Sequence, residues 1–398
     1  MSGADSDSPS PFIRYRWLLD SYRNAIGRGW SDADFVSLVT RLDKAVAEVS
    51  GTGFVITPLG RQTGLAAAAS LPTDRLWVKD ETSNVGGSHK ARHLFGVLLH
   101  LAIEDETEGE LAIASCGNAA VAAAVIARAA ERPLRVFIPT WADRAVVTTL
   151  EKLEATIEVA ERRKGESGDP TVLRMMEAVE GGAVPFSVQG TLTPRTIDGG
   201  RTIGWEAAEQ LSRARVVGKV ALFVQVGGGA LAASIWQGMN DGIHEQWLDA
   251  DLVLHTVQTE AAAPLNRAWR SLLAEMDAHP LVDHIDAVDL AVGMARDDPG
   301  RFMWAWEEIG QTAASGIIDD LTYDWLPVIE AMLRSDGQAR VVTESMVNHA
   351  NELARSHTRI NVGHTGSAGF AGLLDPSLIE FVDRGQDVLV FFTGVERK

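Results

Sequence analysis

Between Lys79 and Arg92 the chain reads K-D-E-T-S-N-V-G-G-S-H-K-A-R, and the Lys90 amine is the group there best suited to covalent chemistry. A strand-like run, Leu76 to Lys79, precedes a polar loop with Gly86, Gly87 and Ser88, and the apolar stretch His93 to Ile103 then has helical character. This spacing predicts Lys90 in the first turn of a helix, just past a flexible entry loop. The positive end of a helix dipole disfavours a second cation, so an amine held there and partly desolvated loses its proton more readily and becomes a nucleophile. A lone lysine is usually a solvated surface group, so the assignment needs support from elsewhere in the chain.

Three more junctions supply it. Leu111 to Ser115 leads through Cys116-Gly117-Asn118 into the alanine-rich run Ala119 to Ala130. Asn118 is suited to cap that helix and Gly117 to a tight turn; the N–H groups of such a junction can hold a carboxylate or a phosphate. The apolar run Val220 to Val226 leads through Gly227-Gly228-Gly229 into Ala230 to Met239, where missing side chains let an anion approach a helix N-terminus closely. Val388 to Phe392 ends in Thr393-Gly394, placing a hydroxyl at a strand end.

In these blocks the chain resembles the fold-type-II pyridoxal-phosphate enzymes (the tryptophan synthase beta superfamily), most closely their threonine synthase and threonine/serine dehydratase branch. The resemblance implies pyridoxal 5'-phosphate as cofactor. Lys90, in a G-S-x-K-x-R segment, would hold it covalently. Ser115, Cys116, Gly117 and Asn118 match the A-S-x-G-N loop that grips the substrate carboxylate, and Asn118 the residue touching the cofactor's phenolic oxygen. Gly227, Gly228, Gly229 and the amide of Ala230 match the phosphate loop, and Thr393, in the T-G form of threonine synthases, the hydroxyl facing the pyridine nitrogen. Ile197-Asp198-Gly199-Gly200-Arg201-Thr202, continuing to Glu206 and Gln210-Leu211, looks like the segment re-entering the large domain; Val257 to Pro264 looks like the strand after the glycine loop.

The chain departs from the pattern twice. His89 stands where many relatives carry phenylalanine, and His364 begins a segment where relatives often have a glutamate-proline pair. The resemblance therefore carries the cofactor over more firmly than the substrate. The expected reaction is loss of the β-hydroxyl from a 3-hydroxy amino acid such as serine, threonine or a bulkier analogue, giving a 2-oxo acid and ammonia, with Ser88 helping to protonate the leaving group. A threonine synthase-like replacement enzyme is the alternative; its phosphorylated substrate needs basic groups, for which Lys79, Arg92 and Arg201 are candidates. More distant are a catalytically silent ligand-binding protein and an NAD-binding oxidoreductase. Gly227 to Ala232 fits a dinucleotide fingerprint, but Glu260 lies well beyond the roughly 20 residues expected for its acidic partner. Cys116 as a nucleophile at a helix N-terminus has no histidine near it in sequence.

The elements that must position these groups alternate apolar strand-like runs with longer helical ones, which predicts parallel α/β construction. Leu134 to Ile138 after the Ala119 helix reads as a crossover unit. The expected architecture is two open parallel-sheet domains with the cofactor cleft between them: a tail and helical extension over residues 1–50, a large domain of 51–90 and 190–398, and a small inserted domain of 91–189. Met1 to Pro11 reads as a disordered tail, Glu161 to Asp169 as an exposed loop. At 398 residues with 46% hydrophobic and 23% charged residues the chain has the composition of a large globular enzyme.

A net charge of -18 argues against nucleic-acid or anionic-membrane partners. One cysteine cannot form an intrachain disulfide and fits a reducing compartment. Met1 to Arg16 has neither the basic start nor the apolar stretch of a signal peptide, so a cytoplasmic enzyme, by family analogy a homodimer, is expected. The histidines show no metal-ligand spacing, and no metal is expected.

Overall fold

The computed structural model describes residues 7–106, 108–166, 168–278, 283–375, 382 and 385–397. In chain order the strands are β1 (Leu59–Arg61), β2 (Leu76–Asp80), β3 (Leu111–Ala114), β4 (Leu134–Pro139), β5 (Thr156–Ala160), β6 (Val184–Pro185), β7 (Gly218–Gln225), β8 (Ala250–Thr259), β9 (Ala339–Val342) and β10 (Asp387–Phe392). They form two sheets, of order β5-β4-β3-β6 and β1-β2-β10-β7-β8-β9. Every pairing is parallel except β1 with β2. The chain divides into two compact units, one of residues up to Thr57 and Ser83–Glu206, the other of Pro58–Thr82 and Ala207–Arg397.

The first unit holds the four-stranded sheet. β3 and β4 are parallel neighbours joined by the helix Asn118–Ala129. This helix and Lys90–Ile103 are apolar on nearly every face, and both are buried almost throughout, as such helices must be. The helix Thr196–Arg213 crosses Lys90–Ile103 at glycines. A methyl on Gly96 would sit 2.6 Å from the Gly199 nitrogen, and one on Gly199 2.0 Å from the Arg92 carbonyl oxygen, so only two glycines allow this approach.

The N-terminal extension folds as the helices Pro11–Arg14, Asp20–Gly27 and Asp32–Ser50. Phe12 packs on Phe54 and Phe95 with ring centroids 5.0 and 4.7 Å away. Asp198, buried in the crossing helix, accepts the N–H groups of Asp20 (2.8 Å) and Ser21 (2.9 Å), a carboxylate placed at a helix N-terminus where the dipole favours it. Burial alone would raise the Asp198 pKa, but the hydrogen bond from His100 and the charge of Arg201 outweigh it and hold the carboxyl below its ordinary range.

The expected N-terminal tail ends earlier than the sequence reading placed it. Residues 1–6 lie outside the described residues, whereas Pro9 accepts a hydrogen bond from the Ile56 N–H (2.9 Å) and Ser10 and Pro11 are buried. Phe12, which follows them, is itself fully buried. Residues 161–165 are exposed, as expected of a charged loop.

In the second unit the last strand, β10, inserts between β2 and β7. All six of its residues are buried, the mark of a parallel strand covered on both faces. Leu76, Val78, Ala221, Phe223, Val257, Val388 and Val390 belong to one core. Because β2, β10, β7 and β8 run parallel, their C-terminal ends share one edge, where open α/β sheets place their ligands. None of the described helices is long and apolar enough to cross a membrane.

Candidate active site

In the first unit, the turn before Lys90 is built from Asn84, whose side-chain oxygen accepts the Val85 N–H (2.8 Å), and from Gly86 and Gly87 at φ of 64° and 73°. A methyl on Gly86 would meet Ala122 Cα at 3.7 Å, so this turn rests on the helix Asn118–Ala129. The next helix begins at Lys90, as the spacing predicted, with Lys90 half-buried. Ser88 is fully buried, and its hydroxyl has no hydrogen-bond partner among the described residues. The helix following Ser115–Gly117 starts at Asn118 with Gly117 as its N-cap (φ -136°, ψ -142°) and no side-chain cap bond. Asn118 is thus one residue inside the helix rather than its cap: Gly117 takes the non-helical cap position. Ser115, Cys116, Gly117 and Asn118 are all half-buried.

Two residues after Lys90, Arg92 is wholly buried. It donates to Glu206 (2.6 Å), Thr202 Oγ1 (3.1 Å) and Thr57 Oγ1 (3.2 Å), and the Thr57 N–H donates to the same Glu206 carboxylate (2.9 Å). The guanidinium thus ties the first turn of the Lys90 helix to the crossing helix.

His93, one turn beyond Lys90, is fully buried with Nδ1 3.0 Å from the Thr196 carbonyl oxygen; that carbonyl can only accept, which puts the ring proton on Nδ1. Burial first, then the neighbouring Lys90 charge, pushes its pKa from 6.5 to about 3. In the second unit His255 is pushed down to about 3 by burial and then by Arg340 and Lys219. In both, the folded pKa lies below the unfolded one, so protons bind the unfolded chain first as pH falls. Their stabilisation is complete above pH 6.5 and lost progressively below it. Denaturant melts from pH 7 to pH 5 should lose roughly 1.4 kcal/mol per pH unit below 6.5 for each histidine. A flat profile would contradict this, and His255→Phe should reduce the slope.

The second unit carries the glycine loop. β7 passes through Val226 into Gly227–Gly229, and the helix Ala230–His244 follows with Gly229 left-handed at its N-cap (φ 99°). Among the described residues no hydrogen bond uses the N–H groups of Gly228, Gly229 or Ala230, while the Gly228 carbonyl accepts from Asp324 N–H (2.8 Å). A methyl on Gly227 would lie 2.4 Å from Asp319 Oδ2 and 3.0 Å from Ile317 Cα. The loop is therefore a turn without side chains of its own, backed by a helix N-terminus and with the Asp319 carboxylate against Gly227. Thr393, buried at the end of β10, accepts a hydrogen bond from Gln225 Nε2 (2.7 Å).

Sequence reasoning missed Gln225 and the segment Ile317–Asp324. Gln225 leaves a trace, a lone polar residue ending an apolar strand; Ile317–Asp324 leaves none, because its role depends on long-range packing. His364 opens the helix His364–Ala371 with Nδ1 3.8 Å from Glu396, so a carboxylate stands beside this histidine from another segment.

The three cations considered for a phosphorylated substrate are engaged internally. Lys79, fully buried, donates to Gln210 (2.9 Å). Arg92 serves Glu206, and Arg201 donates to Asp198 (2.7 Å) and pairs with Asp20 (2.8 Å). They hold the fold and form no common anion site.

The family model described as "Pyridoxal-phosphate dependent enzyme" matches residues 52–394. The chain belongs to the pyridoxal-phosphate-dependent enzymes. Several solved structures of this family are similar in fold. The processed form of threonine deaminase isoform 2 from Solanum lycopersicum is 18% identical with a TM-score of 0.64, over 93% of this chain and 91% of that one. Diaminopropionate ammonia lyase from Escherichia coli is 18% identical with a TM-score of 0.64, over 89% and 88%. A pyridoxal 5'-phosphate-dependent aspartate racemase is 17% identical with a TM-score of 0.66, over 90% and 96%. No curated protein sequence matches the chain. As a fold-type-II member of the family, the protein is an enzyme that uses pyridoxal 5'-phosphate. The residues present fit that cofactor: a lysine in a helical first turn, a glycine cradle with unclaimed N–H groups for a phosphate, and a neutral hydroxyl at a strand end.

Proposed function

We propose that this pyridoxal-phosphate-dependent enzyme is a lyase that removes the β-hydroxyl of a 3-hydroxy amino acid (serine, threonine or a bulkier analogue), yielding a 2-oxo acid and ammonia. The observation that carries the proposal is the neutral hydroxyl of Thr393 at the end of β10, where an acidic residue would favour a protonated pyridine nitrogen. When bound, the cofactor supplies an electron sink for the pair left at the substrate's Cα. Lys90 would hold it covalently and, as a free amine, would take the proton from Cα. The loop Ser115–Asn118 binds the substrate carboxylate at the head of its helix. The N–H groups of the Gly227–Ala230 turn would hold the cofactor phosphate, Asn118 would face its phenolic oxygen, and Thr393 its ring nitrogen. Ser88, buried two residues before Lys90 with an unclaimed hydroxyl, would pass a proton to the leaving β-oxygen, which departs as water, and would regain one from Lys90, which holds the proton taken from Cα.

Threonine deaminase and ammonia lyase among the similar folds support elimination. The internal engagement of Lys79, Arg92 and Arg201 weakens the replacement alternative with a phosphorylated substrate. A cytoplasmic homodimer completes the proposal. The test is to incubate the loaded protein with L-serine, L-threonine, an aryl-serine and O-phosphohomoserine, following 2-oxo acid, ammonia and inorganic phosphate. Release of 2-oxo acid with equal ammonia supports the lyase, and slower release by Ser88→Ala supports its proton donor. Phosphate release from O-phosphohomoserine selects replacement, and accumulation of the D-amino acid without 2-oxo acid selects racemisation.

A further inference from the structure

We infer that Arg267 is a positioning residue for the cofactor: it latches residues 304–324 against the glycine turn and so fixes the direction in which an N–H of that turn points. The inference rests on the reading of the turn as the seat of the cofactor phosphate.

Arg267 lies in the first turn of the helix Pro264–Asp277, which follows β8. Its guanidinium carbon stands 3.8 Å from the centre of the Trp304 ring and 4.9 Å from that of Trp306. The same group donates to the Trp304 carbonyl oxygen and to both carboxylate oxygens of Glu307 (3.2 and 3.1 Å). Residues 304–310 are exposed apart from half-buried Trp306, so the flat cation holds them where no core does.

From this latch to the glycine turn is a short path. The Trp306 N–H donates to the Asp320 carbonyl oxygen (2.8 Å), which joins the latched end of the segment to the stretch that faces the glycines. There a methyl on Gly227 would lie 2.4 Å from Asp319 Oδ2, and one on Gly229 3.1 Å from both Thr322 Cγ2 and Asp324 Cβ. At these two positions the missing side chains make room for the chain's own segment. Between them, the Gly228 carbonyl accepts the Asp324 N–H (2.8 Å). A trans peptide is planar, with its C=O and N–H pointing in opposite directions. A Gly228 carbonyl turned toward the segment therefore turns the Gly229 N–H away from it, to the side where a phosphate would be held. Without Arg267 the segment leaves the turn more often and that peptide rotates, so affinity for a phosphate falls with the fraction of chains still latched.

The test is equilibrium dialysis of the full chain against pyridoxal phosphate and, separately, against pyridoxal, which lacks the phosphate, with bound ligand read by absorbance. Arg267→Ala should bind pyridoxal phosphate roughly tenfold more weakly than wild type does, and pyridoxal equally well. Arg267→Lys should resemble Arg267→Ala, because an ammonium keeps a charge for Glu307 but has no flat face for the indoles. Backbone hydrogen exchange should quicken over residues 304–324 in both variants while β7 and β10 stay protected, which separates a loosened latch from unfolding. Trp304 is 39% exposed, so Trp304→Ala serves if the Arg267 variants do not fold, with the same result expected. Equal weakening toward both ligands overturns the inference and leaves Arg267 a general structural role. Unchanged affinity for pyridoxal phosphate also overturns it, whether or not residues 304–324 exchange faster. A wild type that holds pyridoxal as tightly as pyridoxal phosphate overturns the reading of the turn and the inference with it, and a wild type that takes up neither overturns the cofactor assignment as well.

Discussion

Replacing Lys90 by alanine is expected to abolish the visible absorption of covalently held pyridoxal phosphate and to lower turnover at least about 10³-fold, since one group is both covalent anchor and base. The folded chain should be unaffected. Lys90 is a half-buried residue in a helical first turn, and alanine is the best helix former. Spectra and single-turnover rates of Lys90→Ala beside wild type, with thermal melts of both, check this. A variant that melts like wild type and keeps the absorption band would remove Lys90 from the centre of the chemistry and direct attention to another lysine.

The second large effect lies two residues along the chain. Arg92→Leu should cost about 3–5 kcal/mol of stability, because it strands the Glu206 carboxylate, which is 0% exposed, without its cation. Against a total of roughly 5–15 kcal/mol for a folded domain, that loss brings the chain close to unfolding at ordinary temperature. The double variant Arg92→Leu with Glu206→Leu should recover much of the deficit, since removing both charges avoids the uncompensated burial. Urea denaturation of the two single variants and the double one forms a cycle. If the double variant is as unstable as the sum of the singles, the pair is not coupled and the lost stability has another source.

The local backbone setting of the candidate site residues was legible in the chain. Lys90 could be assigned to a helical first turn because loop glycines and an apolar run flank it. The turn Gly227–Gly229 could be placed between a strand and a helix because a buried apolar run stops before it and a helical one starts after it; Thr393 was marked out by the resemblance to the family, since an apolar run ending in a threonine is by itself an ordinary strand end. The insertion of β10 between β2 and β7 was beyond reach, since no pattern along the chain records which strand comes to lie beside which. Gln225 was missed for the same reason: its partners lie some 140 and 168 residues away. The segment Ile197 to Glu206 shows the reverse case. It stood out in the sequence without evident chemistry, and its residues turn out to be structural: Asp198 holds the N-terminal extension, Gly199 lets two helices touch, and Thr202 and Glu206 receive Arg92. The one-residue difference at Asn118 follows from Gly117 taking the non-helical cap position itself.

Where Gly96 and Gly199 meet, two main chains touch with nothing between them. Mutation there can only add bulk, and even one methyl group would push the helix carrying Lys90 along or away from its neighbour. A lineage that acquires a new substrate has to do so elsewhere, at residues that meet the substrate's side chain, leaving this seam and the Ser115–Asn118 loop proposed to hold the carboxylate in place. A library built to redirect this enzyme should leave the glycine seam as it is, because most variants at the seam would be lost before selection could compare their chemistry.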